Sequence, residues 1–362
     1  DPEIARLCGQ FMRVYLFSAL PWMLFECLKR FVQAQGDMKA STKLLVFIAP
    51  LHAVITYLLV LSPWFGLGYI GSPLACCVTN WLALVGLVVY ISCSKAREAW
   101  GGFDYRCVHG ISEFYKVALP SVATVCCDWW AFEALTIGAS YLGSTALAAQ
   151  SIVFNASVMI FQIPLSMSTA IGTRVGHMLG AGRSRTVKLT IKVGYVVITG
   201  FILVTMSTII GLSSWWGSLF TSDPEVIHIV AIALHIVAFT HALDIFNSVN
   251  LGIFRAMGRQ RIAALIIIPP YYVVMIPVGA YLAFSSLDMG VPGLWLGMLV
   301  GLILIVPSQF AFIFGYVDWD REVVACLERL KKSTQVDGQP LKLNVEQLEN
   351  GEGGLPVIRS DC

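Results

Sequence analysis

The chain has 362 residues, of which 57% are hydrophobic and only 13% are charged. A water-soluble domain cannot hide that much apolar surface, so the composition indicates a membrane protein that crosses the bilayer several times. The net charge of +2 is too small to predict a nucleic-acid partner. The sequence has no phosphate-binding glycine loop, zinc-binding histidine pair or nucleophile elbow, so we expect no enzyme activity, no cofactor and no metal site.

Nine apolar segments are long enough to form membrane-spanning helices, since a helix needs about 20 apolar residues to cross the hydrocarbon core. The short alternating segments typical of a β-barrel are absent, so we expect an all-α polytopic fold. The polar end beyond residue 316 is expected to hold a helix near 320–332 and then a disordered tail. The nine predicted spans are 11–34, 44–62, 73–94, 115–141, 146–172, 190–212, 226–254, 262–284 and 292–315.

Basic residues occur in alternate connections between these spans, and this pattern predicts the orientation of the chain. The loops near 62–72, 141–145, 213–225 and 285–291 contain no Lys or Arg, whereas the intervening connections and the polar end contain many. We therefore expect the basic connections and the C-terminus to face the cytoplasm. The first residue would then face outside without an initiator methionine or a signal sequence, so we expect an N-terminally truncated fragment of a longer protein.

A sequence repeat divides the chain into unequal halves. Two similar motifs end the first and seventh spans, and two Gly-x-Pro turns follow one helix later: QAQG at 33–36, RAMG at 255–258, GSP at 71–73 and GVP at 290–292. Three further helices, within 115–212, precede the second copy, and the first copy lacks them. A complete protein is therefore expected to have twelve helices in two halves of six.

Three carboxylates lie within predicted spans, where an ionised side chain costs at least about 2.5–3.5 kcal/mol. Asp128 and Glu133 lie in the fourth span and Asp244 in the seventh. Asp128 lies twelve residues beyond Lys116, and Asp244 lies eleven before Arg255. At about 1.5 Å per residue, both are roughly 16–18 Å from their basic anchors. Two acids from distant spans at matched depth predict one ion or substrate site near the bilayer midplane.

We expect these carboxyl groups to take up and release protons. Desolvation favours the neutral form of a carboxyl group, which allows proton exchange near neutral pH. Glu133 follows Asp128 by five residues, a net helical rotation of about 140°, so the two cannot share one narrow face. The alternative for each acid is a permanently neutral carboxyl group bonded to a neighbouring amide, and the residues alone leave that alternative open.

Polar and aromatic side chains near the acids are candidates to line a cavity. His241, Asn247 and Ser248 share a helix face with Asp244 and predict a polar path toward the cytoplasm, or else hydrogen bonds between helices. Neighbouring aromatic rings predict stacking with flat or cationic compounds, or else packing and interface anchoring. For Asn155, packing is favoured over substrate contact. The candidate lining residues are Trp129, Trp130, Asn155, His241, Asn247, Tyr271 and Tyr272.

Several of these segments resemble those of the multidrug and toxin extrusion (MATE) transporters, and among them the fungal members. The family typically has an acidic-Trp-Trp-x-aromatic-Glu segment, which stands here as DWWAFE at 128–133. It also has an R-V-G-x-x-L-G-A-G helix end, which stands here at 174–182. The span ends at 34–36 and 255–258 resemble further family patterns. The resemblance covers about 1–318, which is all but the polar tail.

The resemblance implies an antiporter with two six-helix lobes around a V-shaped cavity. Such a protein exports organic, often cationic, compounds in exchange for protons, or for sodium in some bacterial members. The family's coupling acids would correspond to Asp128, Glu133 and Asp244. Asp128 and Asp244 stand where animal relatives commonly carry Glu, and the shorter side chain changes the fine geometry. The resemblance also places the first residue just before the fourth of twelve helices.

We expect a monomeric, multi-pass protein of the plasma or vacuolar membrane, whose partners are small organic substrates, protons and the lipid bilayer. One alternative is a lipid-precursor flippase of the same superfamily, although such proteins usually present a more cationic cavity. Another is a membrane protein without transport activity, such as a receptor, a scaffold or an inactive truncated product. The expected parts are the remaining N-lobe at 1–94, a cytoplasmic linker at 95–112, the C-lobe at 113–315 and a cytoplasmic tail at 316–362.

Overall fold

The computed structural model describes residues 2–62, 66–94 and 111–336, and within these ranges the chain is helical and contains no strand. The all-α fold expected from the sequence is thus confirmed. The helices are α1 Pro2–Ala34, α2 Lys39–Val60, α3 Gly71–Cys93, α4 Ile111–Tyr141, α5 Ser144–Gly180, α6 Ser184–Ser218, α7 Pro224–Met257, α8 Gln260–Pro269, α9 Ile276–Phe284, α10 Gly290–Ala311 and α11 Trp319–Val336. A 3₁₀ turn, Gly68–Ile70, precedes α3. A π-helical segment, Pro270–Met275, joins α8 to α9, and another, Phe312–Tyr316, extends α10.

Eight helical segments in the described part of the chain are long and apolar enough to cross a membrane. They correspond to eight of the nine predicted spans, with α8, the π-helical segment and α9 forming one continuous span, Gln260–Phe284. The remaining predicted span is α4, whose 31 residues extend for about 46 Å. Its apolar run is interrupted by Asp128 and Glu133, so α4 is long enough to cross a membrane but is less apolar than the other eight segments.

The helix boundaries follow the sequence repeat. The turns after α1 and α7 each contain a glycine with left-handed backbone, Gly36 at φ 90° and Gly258 at φ 72°. A glycine adopts this conformation readily because it has no Cβ. Helices α3 and α10 begin at Gly71 and Gly290, the first residues of the two Gly-x-Pro turns. Proline is favoured in the first turn of a helix, where its missing N–H would have no partner. The two copies therefore share their helix boundaries as well as their motifs.

The chain divides into two compact units, Asp1–His109 and Gly110–Cys362. In the first unit, α1 and α2 pack against α3 around a core that includes Phe25 and Leu87. In the second unit, α7 is central and packs against α5, α6 and α10. The predicted linker at 95–112 lies almost wholly outside the described residues, and so does the part of the predicted disordered tail that follows residue 336, so both stay predictions.

Helix α11 confirms the short helix expected in the polar end, and within the second unit it packs against α5 and α6. Its Trp319 is buried in a core shared by α5, α6 and α7. Glu322, only 3% exposed, accepts hydrogen bonds from Arg259 at 2.6 and 3.0 Å and from Arg329 at 3.2 Å. Arg329 also donates to the carbonyl oxygen of Met257 at 3.0 Å. These contacts fix α11 to the turn between α7 and α8.

Helices α5 and α7 cross at backbone contact. A Cβ atom added to Gly252 would lie 2.5 Å from the carbonyl oxygen of Ser168, and one added to Gly172 would lie 2.8 Å from that of Gly252. Small residues allow such an approach between membrane helices. The hydroxyl group of Ser168 donates to the carbonyl oxygen of Ser248 across the crossing. The crossing therefore sets the position of α7, which carries Asp244, relative to α5.

Candidate functional site

A cavity of about 200 Å³ lies inside the second unit, between α4, α5, α7 and α10. Most of its lining is apolar or aromatic, including Phe132 of α4, Phe161 of α5 and Trp295 of α10. Two carboxyl groups interrupt this lining, those of Asp128 and Asp244. A concave, mostly apolar site with a few polar groups is the usual form of a small-molecule binding site.

The structure brings together two of the three predicted acids. Asp128 on α4 and Asp244 on α7 line the same cavity, close enough for their charges to interact. Asp244 is 9% exposed, and its Oδ1 atom accepts from the amide of Asn247 at 3.5 Å. The hydroxyl group of Tyr271 interacts with the carboxyl group of Asp128, whose Oδ1 atom is buried and has no hydrogen-bond partner within the described ranges. A buried oxygen of this kind can accept a donor or a cation supplied by a ligand.

Glu133, Trp130 and Asn155 do not line this cavity. Glu133 is exposed, and so is Trp130, on sides of α4 that point away from Asp128. The five residues between the two acids turn the helix by a net angle of about 140°, which accounts for the separation. The amide of Asn155 donates back to the carbonyl oxygen of Ser151 at 2.9 Å. The structure therefore does not place these three predicted residues at the site formed by the other two acids.

The other predicted lining residues differ in where they lie relative to the cavity. Trp129 and His241 line the cavity, and the Nε2 atom of His241 is buried without a partner among the described residues. Asn247 and Tyr271 are buried behind the cavity wall, each 1% exposed, and act on the acids from there. Tyr272 is half-buried and outside the lining.

The position of Tyr271 follows from the local sequence. Pro269 and Pro270 lack the N–H groups that an α-helix would use, and the chain continues as a π-helical segment from Pro270 to Met275. Segments of this kind occur frequently at functional sites. Here the segment carries the tyrosine that contacts Asp128.

Three polar residues behind Asp244 were missed by the sequence analysis, namely Gln309, Asn250 and Tyr195. Gln309 of α10 donates to Asn247 at 2.8 Å and accepts from Asn250 at 3.0 Å. Asn250 accepts in turn from the hydroxyl group of Tyr195 on α6 at 2.5 Å. The available signal was Gln309, an amide inside an otherwise apolar predicted span.

The cavity also has a basic end, which is formed by Arg255. The sequence prediction used this residue only to place Asp244 by its depth in the membrane. Arg255 and Ser168 line the cavity together, and the guanidinium group donates to the serine hydroxyl at 3.1 Å. Arg255 lies eleven residues after Asp244 on α7, about 16 Å along the helix. The acid pair therefore lies well away from the guanidinium group.

This arrangement can bind a proton or a cation at the acid pair while aromatic rings contact an organic molecule. The face of an aromatic ring attracts a cation within about 6 Å of its centroid. Trp129, Phe132 and Trp295 offer such rings within the same cavity as Asp128 and Asp244.

Comparisons with known proteins agree on one family. The MatE family model matches residues 1–58 and 120–281. An uncharacterized transporter of Schizosaccharomyces pombe is 35% identical over 330 residues, which are 91% of this chain and 62% of that protein. Protein DETOXIFICATION 15 of Arabidopsis thaliana is 32% identical over 340 residues, which are 93% of this chain and 68% of that protein.

A solved structure agrees with the sequence relatives. The crystal structure of the eukaryotic MATE transporter AtDTX14 has a TM-score of 0.85 with this chain at 26% identity. The match covers 91% of this chain and 73% of that one. The chain spans 62% and 60% of the length of its two fission-yeast relatives.

Proposed function

Because the chain belongs to the MatE family of multidrug and toxin extrusion transporters, we propose that the protein exports organic, often cationic, compounds in exchange for protons. One observation carries the proposal: Asp128 and Asp244, from different helices, line one aromatic cavity in the second unit. An acidic pair inside membrane-spanning helices is the arrangement that a cation-coupled carrier needs.

Competition for the two carboxyl groups would couple the two fluxes. When Asp128 and Asp244 are ionised, the cavity carries two negative charges beside the rings of Trp129 and Phe132, and it attracts an organic cation. Protonation removes these charges and with them most of the attraction for the cation. Binding of the proton and binding of the organic cation therefore oppose each other, which is the requirement for exchange at a shared site.

The direction of transport follows from the orientation that we propose for the chain. The basic connections and the C-terminus face the cytoplasm, in agreement with the positive-inside rule. Protons enter the acid pair from the outer or luminal side and displace the organic cation there. Deprotonation toward the cytoplasm then restores affinity for the next cation. The membrane is the plasma membrane or the vacuolar membrane.

Transport by the full-length protein in reconstituted vesicles tests this proposal. Ethidium uptake driven by an imposed pH gradient is measured for wild type, for Asp244→Asn and for Glu225→Gln. Glu225 lies on the same helix but is exposed and outside the cavity, so its variant is the matched control. We expect Asp244→Asn to abolish gradient-driven uptake and Glu225→Gln to retain it. Wild-type uptake in Asp244→Asn, or a wild type that ignores the pH gradient, would contradict the proposal.

A further inference from the structure

A continuous chain of hydrogen bonds leads from Asp244 to α6 through three amide side chains. Asn247 and Asn250 of α7 are bridged by Gln309 of α10, and Tyr195 of α6 ends the chain. The three amides are almost completely enclosed, since Gln309 and Asn250 are 0% exposed and Asn247 is 1% exposed. We call these four residues the amide relay.

The amide relay has a direction. The tyrosine hydroxyl donates to Asn250, Asn250 donates to Gln309, Gln309 donates to Asn247, and Asn247 donates to the Oδ1 atom of Asp244. Every donor therefore points toward the carboxyl group. Linked hydrogen bonds of one direction polarise each other, so a change at one end is felt at the other.

The bond at the carboxyl end is the weakest of the four. The amide of Asn247 lies 3.5 Å from Asp244, whereas the three bonds further along measure 2.5 to 3.0 Å. A distance of 3.5 Å is at the limit of a hydrogen bond. An ionised carboxyl group attracts an N–H donor more strongly than a neutral one does, so this bond is the one that responds to the charge of Asp244.

The relay connects three helices at a place where α10 is irregular. Gln309 lies two residues after Pro307 and three residues before the π-helical segment Phe312–Tyr316. The ring of Tyr195 contacts the rings of Phe246, Phe310 and Phe314, which belong to α7, α10 and the π-helical segment. The helix end beyond Gln309 is thus held by one buried amide and one aromatic cluster.

We infer that Gln309 is a positioning residue for ion coupling: it orients Asn247 on Asp244 and transmits the charge state of that carboxyl group to α10 and α6. This inference rests on the proposed function, because it assigns a consequence to proton binding at Asp244. Gln309 contacts neither the cavity nor the carboxyl group directly. Its effect on transport passes through Asn247.

Other titratable and charged groups also surround Asp244. Asp128 of α4 and Tyr271 of the first π-helical segment interact with it electrostatically. His241 and Arg255 lie on α7 itself and line the same cavity. In the described residues, α5 and α10 contribute uncharged polar groups here, such as Ser168 and Gln309. A test must therefore separate the relay from its charged neighbours.

Infrared difference spectroscopy of the purified full-length protein during a pH titration provides that separation. The carbonyl stretch of protonated Asp244 is identified as the band that Asp244→Asn lacks, and its titration midpoint is then measured in relay variants. Gln309→Met removes both amide hydrogen bonds while keeping the length of the side chain. We expect the midpoint to move upward by about 0.5–1 pH unit, because the donor that favours the ionised carboxyl group is no longer held in place.

Two further variants make the result decisive. Tyr195→Phe keeps the ring and removes the last donor, so a smaller upward shift of the Asp244 midpoint is expected. This variant also tests the inference if Gln309→Met does not fold. Gln150→Met is the matched control, since Gln150 is equally buried but accepts from Trp295 at 2.9 Å instead of joining the relay. Its midpoint should equal that of wild type. Unmoved midpoints in both relay variants, or an equal shift in the control, would overturn the inference.

The spectroscopic readout also separates this inference from the proposed function. A shifted midpoint in a protein that shows no pH-driven ethidium uptake supports the relay and contradicts proton exchange. Normal pH-driven uptake with an unmoved midpoint in Gln309→Met supports proton exchange and contradicts the relay.

Discussion

Replacing Gly252 by alanine is expected to separate α5 from α7 and to destabilise the second unit. The new Cβ atom would lie 2.5 Å from the carbonyl oxygen of Ser168, whereas ordinary contacts begin at 3.4 Å, so the backbones must move apart by about 0.9 Å. Overpacking of this kind costs about 1–3 kcal/mol. Loss of the hydrogen bond between the Ser168 hydroxyl and Ser248 adds about 1 kcal/mol, while alanine regains about 0.5–1 kcal/mol of helix propensity over glycine.

The net expectation is a loss of about 1–3.5 kcal/mol, or an apparent Tm lower by about 2–14 °C for a unit of this size. The matched control is Gly211→Ala on α6, where an added Cβ meets nothing within 4 Å. There only the propensity gain applies, so Tm should rise by about 1–4 °C. Thermal unfolding of the full-length protein in detergent measures both. If Gly252→Ala had the Tm of wild type, or if Gly211→Ala lowered Tm equally, the close crossing of α5 and α7 would be refuted.

Two further predictions concern the ends of the helices. Glu322→Gln should lower the free energy of unfolding by about 1–3 kcal/mol, which is less than the loss of a fully buried ion pair costs. The cost is smaller because Arg259 and Arg329 are 41% and 50% exposed and can bind water instead. Hydrogen exchange should show faster opening of α11, and unchanged protection would contradict the role of Glu322. The hydrogen bond from Tyr90 lowers the pKa of Asp37, so its stabilising effect is present above the ordinary pKa of about 4 and is lost as the pH falls. Tyr90→Phe should therefore lower Tm at neutral pH, with the difference from wild type disappearing below about pH 4; a difference that persists in acid would contradict this.

Much of the fold could be predicted because membrane-spanning helices can be identified in a sequence by their length and apolar composition. Eight predicted spans correspond to apolar helices, and α4 departs from that rule only because it carries Asp128 and Glu133. The glycine and Gly-x-Pro signals also marked helix ends, because the backbone geometry that they favour is local. The similar depth of Asp128 and Asp244 in the membrane, counted along the helix from a basic residue, was enough to pair them, since both lie on regular helices.

The remainder of the site depends on which helix faces which, and a single sequence does not contain that information. Helical spacing showed that Glu133 and Asp128 diverge, but it did not show which of them would meet α7. Gln309 was overlooked for the same reason, since its partners Asn247 and Asn250 lie on another helix some 60 residues earlier. A lone amide in an apolar span signals a partner without identifying it.

Proton release on substrate binding tests exchange at Asp128 and Asp244 most directly. Tetraphenylphosphonium is added to the purified full-length protein in weakly buffered solution near neutral pH, and a pH-indicator dye counts the protons released per molecule bound. We predict release by wild type, with lower cation affinity at acid pH, and no release by the double variant Asp128→Asn/Asp244→Asn. Equal release by the double variant, or binding by wild type without any release, would contradict proton exchange at this pair.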